Sequence, residues 1–330
     1  VTLHTICMVG NMTNKELYRD FCHKTKQLPI FMQDWWLDAV CAGKQWDVLL
    51  YMDEEGKIQA VLPYLLRQRA WMKYIIMPQQ TQIGGIWIDD TLSNNEKKVA
   101  EISLDFANQL NEMGLSYYYQ HYPIGSPMVE HMRAMQFSIT ERATYRIEDL
   151  TDLDAVINGF SKNKKRQLQK ALSLHVDYNM CVEDFYRFHV KCLQEKGKQI
   201  TYTREFLLVL ERKTARLQQS QIVSICNADN EVLAAAFLVW DNHSMYYLIP
   251  CYLPSQKDSG ASALLGLESI KLARQKGVAF DFEGSMIRGI ANHYKQFGSK
   301  RTIYYGVEKY YKWYFWFANM YNRLRERKMR

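Results

Sequence analysis

The chain has 330 residues, of which 48% are hydrophobic and 23% charged, and its formal net charge is +7. This composition excludes disordered, collagen-like and disulfide-scaffold proteins, and the length favours two domains, since one domain usually takes ~100–200 residues. No apolar run reaches the ~18 residues that a membrane-spanning helix needs, and the start of the sequence lacks a secretory-signal pattern. The seven cysteines form no Cys-x-x-Cys pair and the histidines show no ligand spacing, so we expect a cytoplasmic protein without a metal.

In the first half of the chain, the sequence predicts a hairpin, further strands and one long helix. Apolar runs and turn residues indicate strands at 46–52, 57–66, 75–78, 84–88 and 115–121, and a helix at 95–113. The helix is supported by Val99, Ile102, Phe106 and Leu110, whose spacing places them on one face.

The second half repeats this order more clearly. We predict helices at 183–197, 204–218, 259–276 and 289–297, and strands at 221–227, 232–240, 244–252, 278–282 and 302–307. In both halves a hairpin, a third strand, a helix with a glycine stop and a further strand follow one another, which indicates an internal duplication. We therefore expect a mixed α/β fold of two domains, 1–150 and 151–330, with 125–149 as the passage between the copies.

The positive charge is concentrated in two segments. From 309 to 330 the chain has seven Lys and Arg against one acid, and from 162 to 170 it has five against none. Basic patches of this kind bind phosphate, whether in a nucleotide, a tRNA backbone or an anionic membrane face. A solvated helix surface has the same pattern, so the sequence leaves both interpretations open.

The C-terminal basic segment includes aromatic residues on nearly every face of a predicted helix at 310–321. Such a helix either packs across both domains or lies at a membrane interface, with the arginines of 322–330 on anionic headgroups. The second interpretation would place the protein peripherally at the inner membrane face.

The order of elements resembles the acyltransferase fold of the GNAT superfamily, whose fourth and fifth strands splay apart around the acyl donor. Pro250 lacks a backbone N–H, so we expect it to interrupt its strand and weaken pairing where such a gap is needed. The loop 254–262 precedes a helix, and its amides are suited to an anion. It lacks the Arg/Gln-x-x-Gly-x-Gly/Ala motif that acetyl-CoA users generally carry, which argues against a standard CoA enzyme.

The most specific segment begins at residue 280. It reads Phe-Asp-Phe-Glu-Gly at 280–284 and His-Tyr-Lys-Gln-Phe-Gly at 293–298. It resembles the Fem family of aminoacyl transferases that build peptidoglycan interpeptide bridges, and more closely their shorter FemAB-like GNAT relatives. Residues 165–171 are similar to that family's Arg-x-Ile-Arg-Lys-Ala stretch, so the resemblance implies two tandem GNAT-like (acyl-CoA N-acyltransferase) domains. The coiled-coil arm of several Fem enzymes has no counterpart here.

Three residues of this segment are candidate catalytic groups. The resemblance implies that Lys295 places its charge on the donor's phosphate or on the developing oxyanion; an exposed lysine on an amphipathic helix is the alternative. Asp281 and Glu283 have the period-two spacing that puts both side chains on one face of a strand, ~7 Å apart. There they would orient or deprotonate the attacking amine or hold a positive substrate, although a polar strand end that caps the next helix has the same pattern.

Basic and aromatic residues of the same regions are candidates for substrate binding: Lys165, Arg166, Tyr246, Arg288, Tyr294 and Phe297. Lys165 and Arg166 are suited to a diphosphate or a tRNA backbone, and the bidentate fork of Arg288 to a phosphate or carboxylate. Tyr246 and Tyr247 alternate across a strand, so one faces the cleft and the other the core.

These features favour an N-acyltransferase that moves an acyl or aminoacyl group to an amine. The co-substrate is either acyl-CoA or aminoacyl-tRNA, and a peptidoglycan precursor, as a nucleotide- or lipid-linked muropeptide, is the acceptor that the resemblance suggests. Two alternatives stay open: an acyl-CoA-dependent N-acetyltransferase on a small amine or sugar, and a non-catalytic GNAT-fold module that binds nucleic acid or membrane.

Overall fold

The computed structural model describes residues 12–41, 46–284 and 286–316. Up to residue 147 the elements are α1 (Asn14–Lys24), α2 (Asp34–Val40), β1 (Trp46–Met52), β2 (Ile58–Arg69), β3 (Met72–Ile76), β4 (Trp87–Ile88), α3 (Glu96–Glu112), β5 (Tyr117–Tyr122), α4 (Met128–Ala134) and β6 (Ser138–Ile147). They continue as α5 (Leu153–Asn158), α6 (Lys162–Lys170), β7 (His175–Asp177), α7 (Val182–Glu195), α8 (Arg204–Arg216), β8 (Ser220–Cys226), β9 (Val232–Trp240), β10 (Ser244–Tyr252), α9 (Ala261–Lys276), β11 (Ala279–Asp281), α10 (Arg288–Lys295) and β12 (Lys300–Tyr310).

The chain forms two compact units. Unit 1 comprises the described residues up to Arg142 together with those from Tyr304 on, and unit 2 comprises Ala143–Ile303. The division expected from the sequence, 1–150 and 151–330, differs because the last strand belongs with the first unit. Residues 305–310 of β12 pair antiparallel with β5, from Tyr305 opposite Tyr122 to Tyr310 opposite Tyr117.

Unit 1 has the strand order β1-β2-β3-β5-β12, with β4 paired to β2. The β3–β5 pair is parallel and the other pairs are antiparallel. Asn95 caps α3 by accepting a hydrogen bond from the Lys98 amide, and the predicted apolar face of this helix packs in the core, where Ile102, Phe106 and Leu110 have no exposed surface.

Unit 2 has the strand order β6-β11-β10-β9-β8-β7. Among the described strands of unit 2, β10 and β11 pair in parallel, and the other pairs are antiparallel. Residues 234–239 of β9 are completely buried, which explains why this strand is a continuous apolar run. The helix α9 ends at Gly277, whose φ of +70° forms the left-handed cap that the sequence predicts.

Both units share one order of elements. In unit 1 the antiparallel strands β1, β2 and β3 are followed by α3 and by β5 parallel to β3. In unit 2 the antiparallel strands β8, β9 and β10 are followed by α9 and by β11 parallel to β10. The predicted succession of elements and the mixed α/β class are confirmed, and the duplication itself stays a prediction.

Two sequence-based assignments were wrong. The segment 125–149 is not a simple passage, since it contains α4 and β6. Tyr310 ends a strand rather than beginning an aromatic helix, because it pairs with Tyr117; residues 317–330, where the rest of that helix and most of its basic residues were predicted, lie outside the described residues. In the described ranges, no helix is long and apolar enough to cross a membrane.

Candidate functional site

The parallel strands of unit 2 separate after three residue pairs. Ser244, Met245 and Tyr246 of β10 lie opposite Ala279, Phe280 and Asp281 of β11. Beyond Tyr246, β10 continues to Tyr252 while β11 ends at Asp281, so from Tyr247 on no described strand pairs with that side of β10, and we call this position the gap. Pro250 does not interrupt its strand as predicted, because it lies opposite Ala236 in the β9 ladder.

A tight turn ends β11 immediately after Asp281. Glu283 has a φ of +57° and Gly284 a φ of +38°, and a Cβ at position 284 would lie 2.1 Å from the carbonyl oxygen of Ala143. Only glycine therefore fits against β6 at this position. Asp281 and Glu283 do not share one face of a strand as predicted, since the strand ends between them.

Asp281 is a completely buried carboxylate with strong partners. Its Oδ2 accepts a hydrogen bond from Arg146 Nη1 at 3.0 Å, and its Oδ1 accepts from the Thr144 hydroxyl and, at 2.7 Å, from the Glu283 amide. Burial raises the pKa of Asp281, while the charge of Arg146 and these hydrogen bonds act in the opposite direction. Because its oxygens are already occupied, Asp281 is better placed to hold the turn than to bind a substrate.

Arg146 binds two acids and a hydroxyl group at once. Besides Asp281 it contacts Glu148, through Nε at 2.6 Å and Nη2 at 3.0 Å, and donates to Ser244 Oγ at 3.0 Å. Burial alone would lower the pKa of Arg146, but the hydrogen bond to Glu148 and the charge of Asp281 raise it. Arg146 is not among the site residues predicted from the sequence, because it lies in 125–149, the segment predicted to be the passage between the copies.

Glu283, by contrast, has an unused carboxyl oxygen. The residue is half-buried, yet its Oε1 is inaccessible to solvent and has no hydrogen-bond partner among the described residues. Burial, and then the charge of Asp281, raises the pKa of Glu283 well above the usual carboxyl value. A carboxyl group whose pKa is raised in this way is suited to exchange a proton with a ligand.

An aromatic cluster packs beside these acids. The rings of Phe282 and Tyr294 stack with centroids 4.7 Å apart, and Tyr247 contacts Phe282 at 5.8 Å. Phe297 is 1% exposed and packs so closely on α9 that a Cβ at Gly266 would lie 2.4 Å from its ring. The structure thus places Phe297 in the core, next to Tyr294 rather than in an open cavity.

The two basic candidates of α10 are exposed. Arg288 is the first residue of the helix, and Lys295 is its last. The ammonium nitrogen of Lys295 lies 5.9 Å from the centroid of the Tyr145 ring, while the Tyr145 backbone accepts the Phe282 amide at 2.9 Å. Lys295 and the Glu283 turn therefore adjoin the same residue of β6.

Two predicted ligands on α6 are held by local contacts. Lys165 Nζ donates to the Asn158 carbonyl at 3.0 Å, and Arg166 Nη2 donates to Asn163 Oδ1 at 3.1 Å. The helix is attached to the α10 motif, since the Ser161 amide donates to the Gln296 carbonyl at 2.9 Å.

Lys164 is a basic residue of α6 that is not among the site residues predicted from the sequence. It has no exposed surface, and its Nζ lies 3.4 Å from His293 Nδ1 and 4.2 Å from the Phe297 ring centroid. No carboxylate of the described residues forms an ion pair with it, and burial lowers its pKa to about 8. Its spacing from Leu168 and Ala171, on the buried face of α6, was the signal that could have identified it.

The beginning of α9 is covered by α6. Gly260 has a φ of +84°, and a Cβ there would lie 2.2 Å from the Gln167 carbonyl oxygen. Next to it, Ser262 Oγ lies 3.5 Å from His293 Nε2. Burial, reinforced by the charge of Lys164, lowers the pKa of His293 to about 4, so the imidazole is neutral at physiological pH.

Both tyrosines of β10 are buried. The Tyr246 hydroxyl donates to Asp241 Oδ2 at 3.1 Å, and Tyr247 belongs to the hydrophobic core. The residue that faces the aromatic cluster is Tyr247, and Tyr246 faces Asp241 instead. In the described part of the chain, no group of three or more His, Cys, Asp or Glu side chains is suited to hold a metal ion.

The sequence of this chain was compared with protein-family models and with curated protein sequences. A family model for the acetyltransferase (GNAT) domain matches residues 158–296, a range that includes α6, β10, α9, β11 and α10. No curated protein sequence matches the chain significantly.

Solved structures share the fold at low sequence identity. A crystal structure of FemX is 13% identical and has a TM-score of 0.67, covering 90% of this chain and 96% of its own. A protein described as the C-terminal domain of a lysylphosphatidylglycerol synthetase from Agrobacterium fabrum is 12% identical with a TM-score of 0.51, over 86% of this chain and 88% of that one. A tandem GNAT protein from the clavulanic acid biosynthesis pathway is 10% identical and has a TM-score of 0.50, covering 81% of this chain and 83% of its own.

These likenesses confirm the fold that the sequence resemblance implied, with tandem GNAT proteins among the structures that share it. The match to an acetyltransferase model supports an enzyme over a non-catalytic binding module. Residues 158–296 therefore match a GNAT acetyltransferase domain, and the fold of most of the chain is that of FemX and of a tandem GNAT protein.

Proposed function

We propose that the protein transfers an acyl or aminoacyl group from an activated donor to an amine, with Glu283 as the acceptor of the amine's proton. The observation that supports this role is the buried Oε1 of Glu283, which has no hydrogen-bond partner in the described residues. An incoming ammonium group would supply that missing partner and would favour the ionised carboxylate.

The reaction then balances in two proton transfers. Ionised Glu283 takes one proton from the ammonium, and the free amine forms a bond to the acyl carbonyl carbon. When the tetrahedral intermediate collapses, the bond to the leaving group breaks, and the second amine proton passes to that group. The Tyr294 hydroxyl, whose pKa is raised by burial and by the charge of Glu283, stays protonated and is suited to donate a hydrogen bond to the leaving group.

Lys295 and Arg288 would supply positive charge. Both are exposed on α10, where a donor phosphate or a substrate carboxylate has access to them. Lys295 adjoins the Glu283 turn through Tyr145, which supports a role for its ammonium in stabilising negative charge that develops at the carbonyl oxygen. Asp281 and Arg146 position the turn without contacting the substrate.

For the donor, we favour aminoacyl-tRNA over acyl-CoA. In the GNAT fold an anion at the start of the helix after the splayed strand would meet the free amides of α9, but here the backbone of α6 packs against Gly260 at that point. The loop also lacks the motif that acetyl-CoA users generally carry. The lysylphosphatidylglycerol synthetase neighbour has a name that specifies an aminoacyl group and a lipid, and the Fem resemblance suggests a nucleotide- or lipid-linked muropeptide as the acceptor.

An acyl-CoA-dependent N-acetyltransferase is the second candidate. It is favoured by the description of the matching domain model and by the gap beside β10 after Tyr246. In that case, CoA would enter the gap from the side not covered by α6.

A donor panel distinguishes the two. Thermal shift and transfer to nucleotide-linked muropeptide would be measured with acetyl-CoA and with aminoacyl-tRNA. We expect stabilisation and transfer with aminoacyl-tRNA. Stabilisation and transfer with acetyl-CoA alone would reject the aminoacyl donor and support the second candidate, and transfer with neither donor to any amine would reject the proposed function.

A further inference from the structure

Unit 1 exposes three tryptophans. Trp71 is 78% exposed, Trp313 is 74% exposed and Trp316 is 45% exposed. Tryptophan is usually highly buried, and a group of exposed tryptophans indicates a surface that contacts something else. None of the three lies in the GNAT domain of unit 2, so the acyl-transfer site does not account for them.

The backbone brings two of these segments to the same end of the sheet. The Ser116 amide donates to the Lys73 carbonyl at 2.7 Å, and the Ser116 carbonyl accepts from the amides of Tyr311 and Lys312 at 3.1 and 3.3 Å. Ser116 thus connects the β2–β3 hairpin, which has Trp71 at its tip, to the chain after β12, which carries Trp313 and Trp316.

Aromatic packing fixes this arrangement. The Phe315 ring stacks on Tyr117 with centroids 4.9 Å apart and contacts Tyr74 at 5.4 Å. With Phe315 turned inward onto the sheet, its neighbours Trp313 and Trp316 remain exposed. The indoles are therefore presented by a packed scaffold.

The same segments are purely basic. Residues 67–74 and 310–316 contain Arg67, Arg69, Lys73 and Lys312 and no acid, and all four basic residues are exposed. The charge of this region is complementary to an anionic surface.

We propose that this surface, formed by Trp71, Trp313 and Trp316 with Arg69, Lys73 and Lys312, binds the interface of an anionic lipid bilayer. Indole rings favour the headgroup level of membranes, and each nearby Lys or Arg adds attraction to anionic lipid. Trp71 lies in a two-residue turn between Arg69 and Met72, a protruding tip that suits a lipid surface better than the groove needed to follow a nucleic acid strand.

The test is co-sedimentation of the full chain with phosphatidylcholine vesicles, with and without about one third phosphatidylglycerol, an anionic fraction that should suffice for polybasic attraction. We expect binding to the anionic vesicles only, weakened at least ~10-fold by W71S/W313S and by R69Q/K73Q. Matched controls are L104S and K97Q, exposed changes on α3 of the same unit, which should bind like the unchanged protein.

Several outcomes would overturn the proposal. These are absence of binding to anionic vesicles, equal loss in the control variants, or binding to tRNA that W71S/W313S abolishes while vesicle binding is unaffected. Transfer to a soluble amine should be unchanged in W71S/W313S, and melting temperatures should match, because the replaced side chains are exposed. This proposal does not depend on the proposed function, since vesicle binding is measured without any donor or acceptor.

Discussion

The guanidinium of Arg146 donates to Asp281 at 3.0 Å, and this carboxylate has no exposed surface. The pair joins β6 to the end of β11, where the Glu283 turn begins. A buried charge that loses its partner is strongly destabilising, so the geometry of the turn depends on both members.

We expect R146M to lower the free energy of unfolding by about 3–5 kcal/mol, because it leaves Asp281 buried without a cation. Urea denaturation measures this loss. The control is R187M, which removes an exposed pair with Asp184 and should leave the free energy of unfolding nearly unchanged. Equal effects of the two changes would show that the Arg146 pair contributes no more than a surface ion pair.

E283Q tests the proposed proton acceptor. Because a base acts only when deprotonated, the rate of the unchanged enzyme should rise with pH through the pKa of Glu283, which lies well above the usual carboxyl value. E283Q should lose this rise and about 10²–10⁴-fold of the rate. E205Q, an exposed glutamate of the same unit, should leave the pH profile intact, and an unchanged profile in E283Q would reject the role.

K295A should reduce kcat/KM by about 10²–10³-fold if the ammonium stabilises charge in the transition state. Its melting temperature should remain that of the unchanged protein, since Lys295 is exposed. K191A, a change of an exposed lysine on α7, serves as the control. Full activity of K295A would show that the helix carries only a surface lysine there.

Lys164 gives the stability a distinct pH dependence. Its pKa is lowered to about 8 in the folded protein from 10.5, so the unfolded chain binds more protons between these values and stability rises with pH across that window. In K164M, up to about 3 kcal/mol of this rise in the free energy of unfolding should be absent. Because K164M does not bury a charged ammonium, it should be more stable than the unchanged protein at pH 7. Urea unfolding of both proteins at about pH 7 and pH 10 measures it, and parallel pH curves would contradict the assignment.

G266A should destabilise unit 2 by about 1–3 kcal/mol, because the added methyl group would lie 2.4 Å from the Phe297 ring. G289A, in the other helix of the motif, meets no atom within 4 Å and should be neutral or stabilising by up to about 1 kcal/mol. The combination G266A/F297L should recover part of the loss. Thermal denaturation of the three variants decides whether this contact fixes α10 on α9.

Local patterns were sufficient for much of the fold. The α9 helix and its stop at Gly277 follow from propensity and capping, and the buried run of β9 follows from its composition. The turn at Glu283 does not, because Glu283 has a positive φ, which a non-glycine residue rarely adopts by local preference.

In the candidate site, too, some residues follow from local sequence patterns and others do not. Lys295 and Tyr294 were found through the motif, whereas Arg146 and Lys164 depend on partners 135 and 129 positions away in the chain. Patterns of residues that are close in sequence cannot predict the contact between Arg146 and Asp281, because these residues are far apart in the chain. For Lys164, the basic run concealed its place on the buried face of α6.

The return of the last strand to unit 1 has a consequence for synthesis. Tyr117 of β5 donates to Glu308 of β12 at 2.9 Å across 191 positions of sequence. A ribosome delivers all of 143–303 before it delivers the strand that completes the first sheet. One edge of β5 is therefore unpaired while unit 2 is synthesised, which gives unit 2 the opportunity to fold first. A truncation before residue 304 would leave an unpaired strand edge in unit 1 and not in the transferase domain.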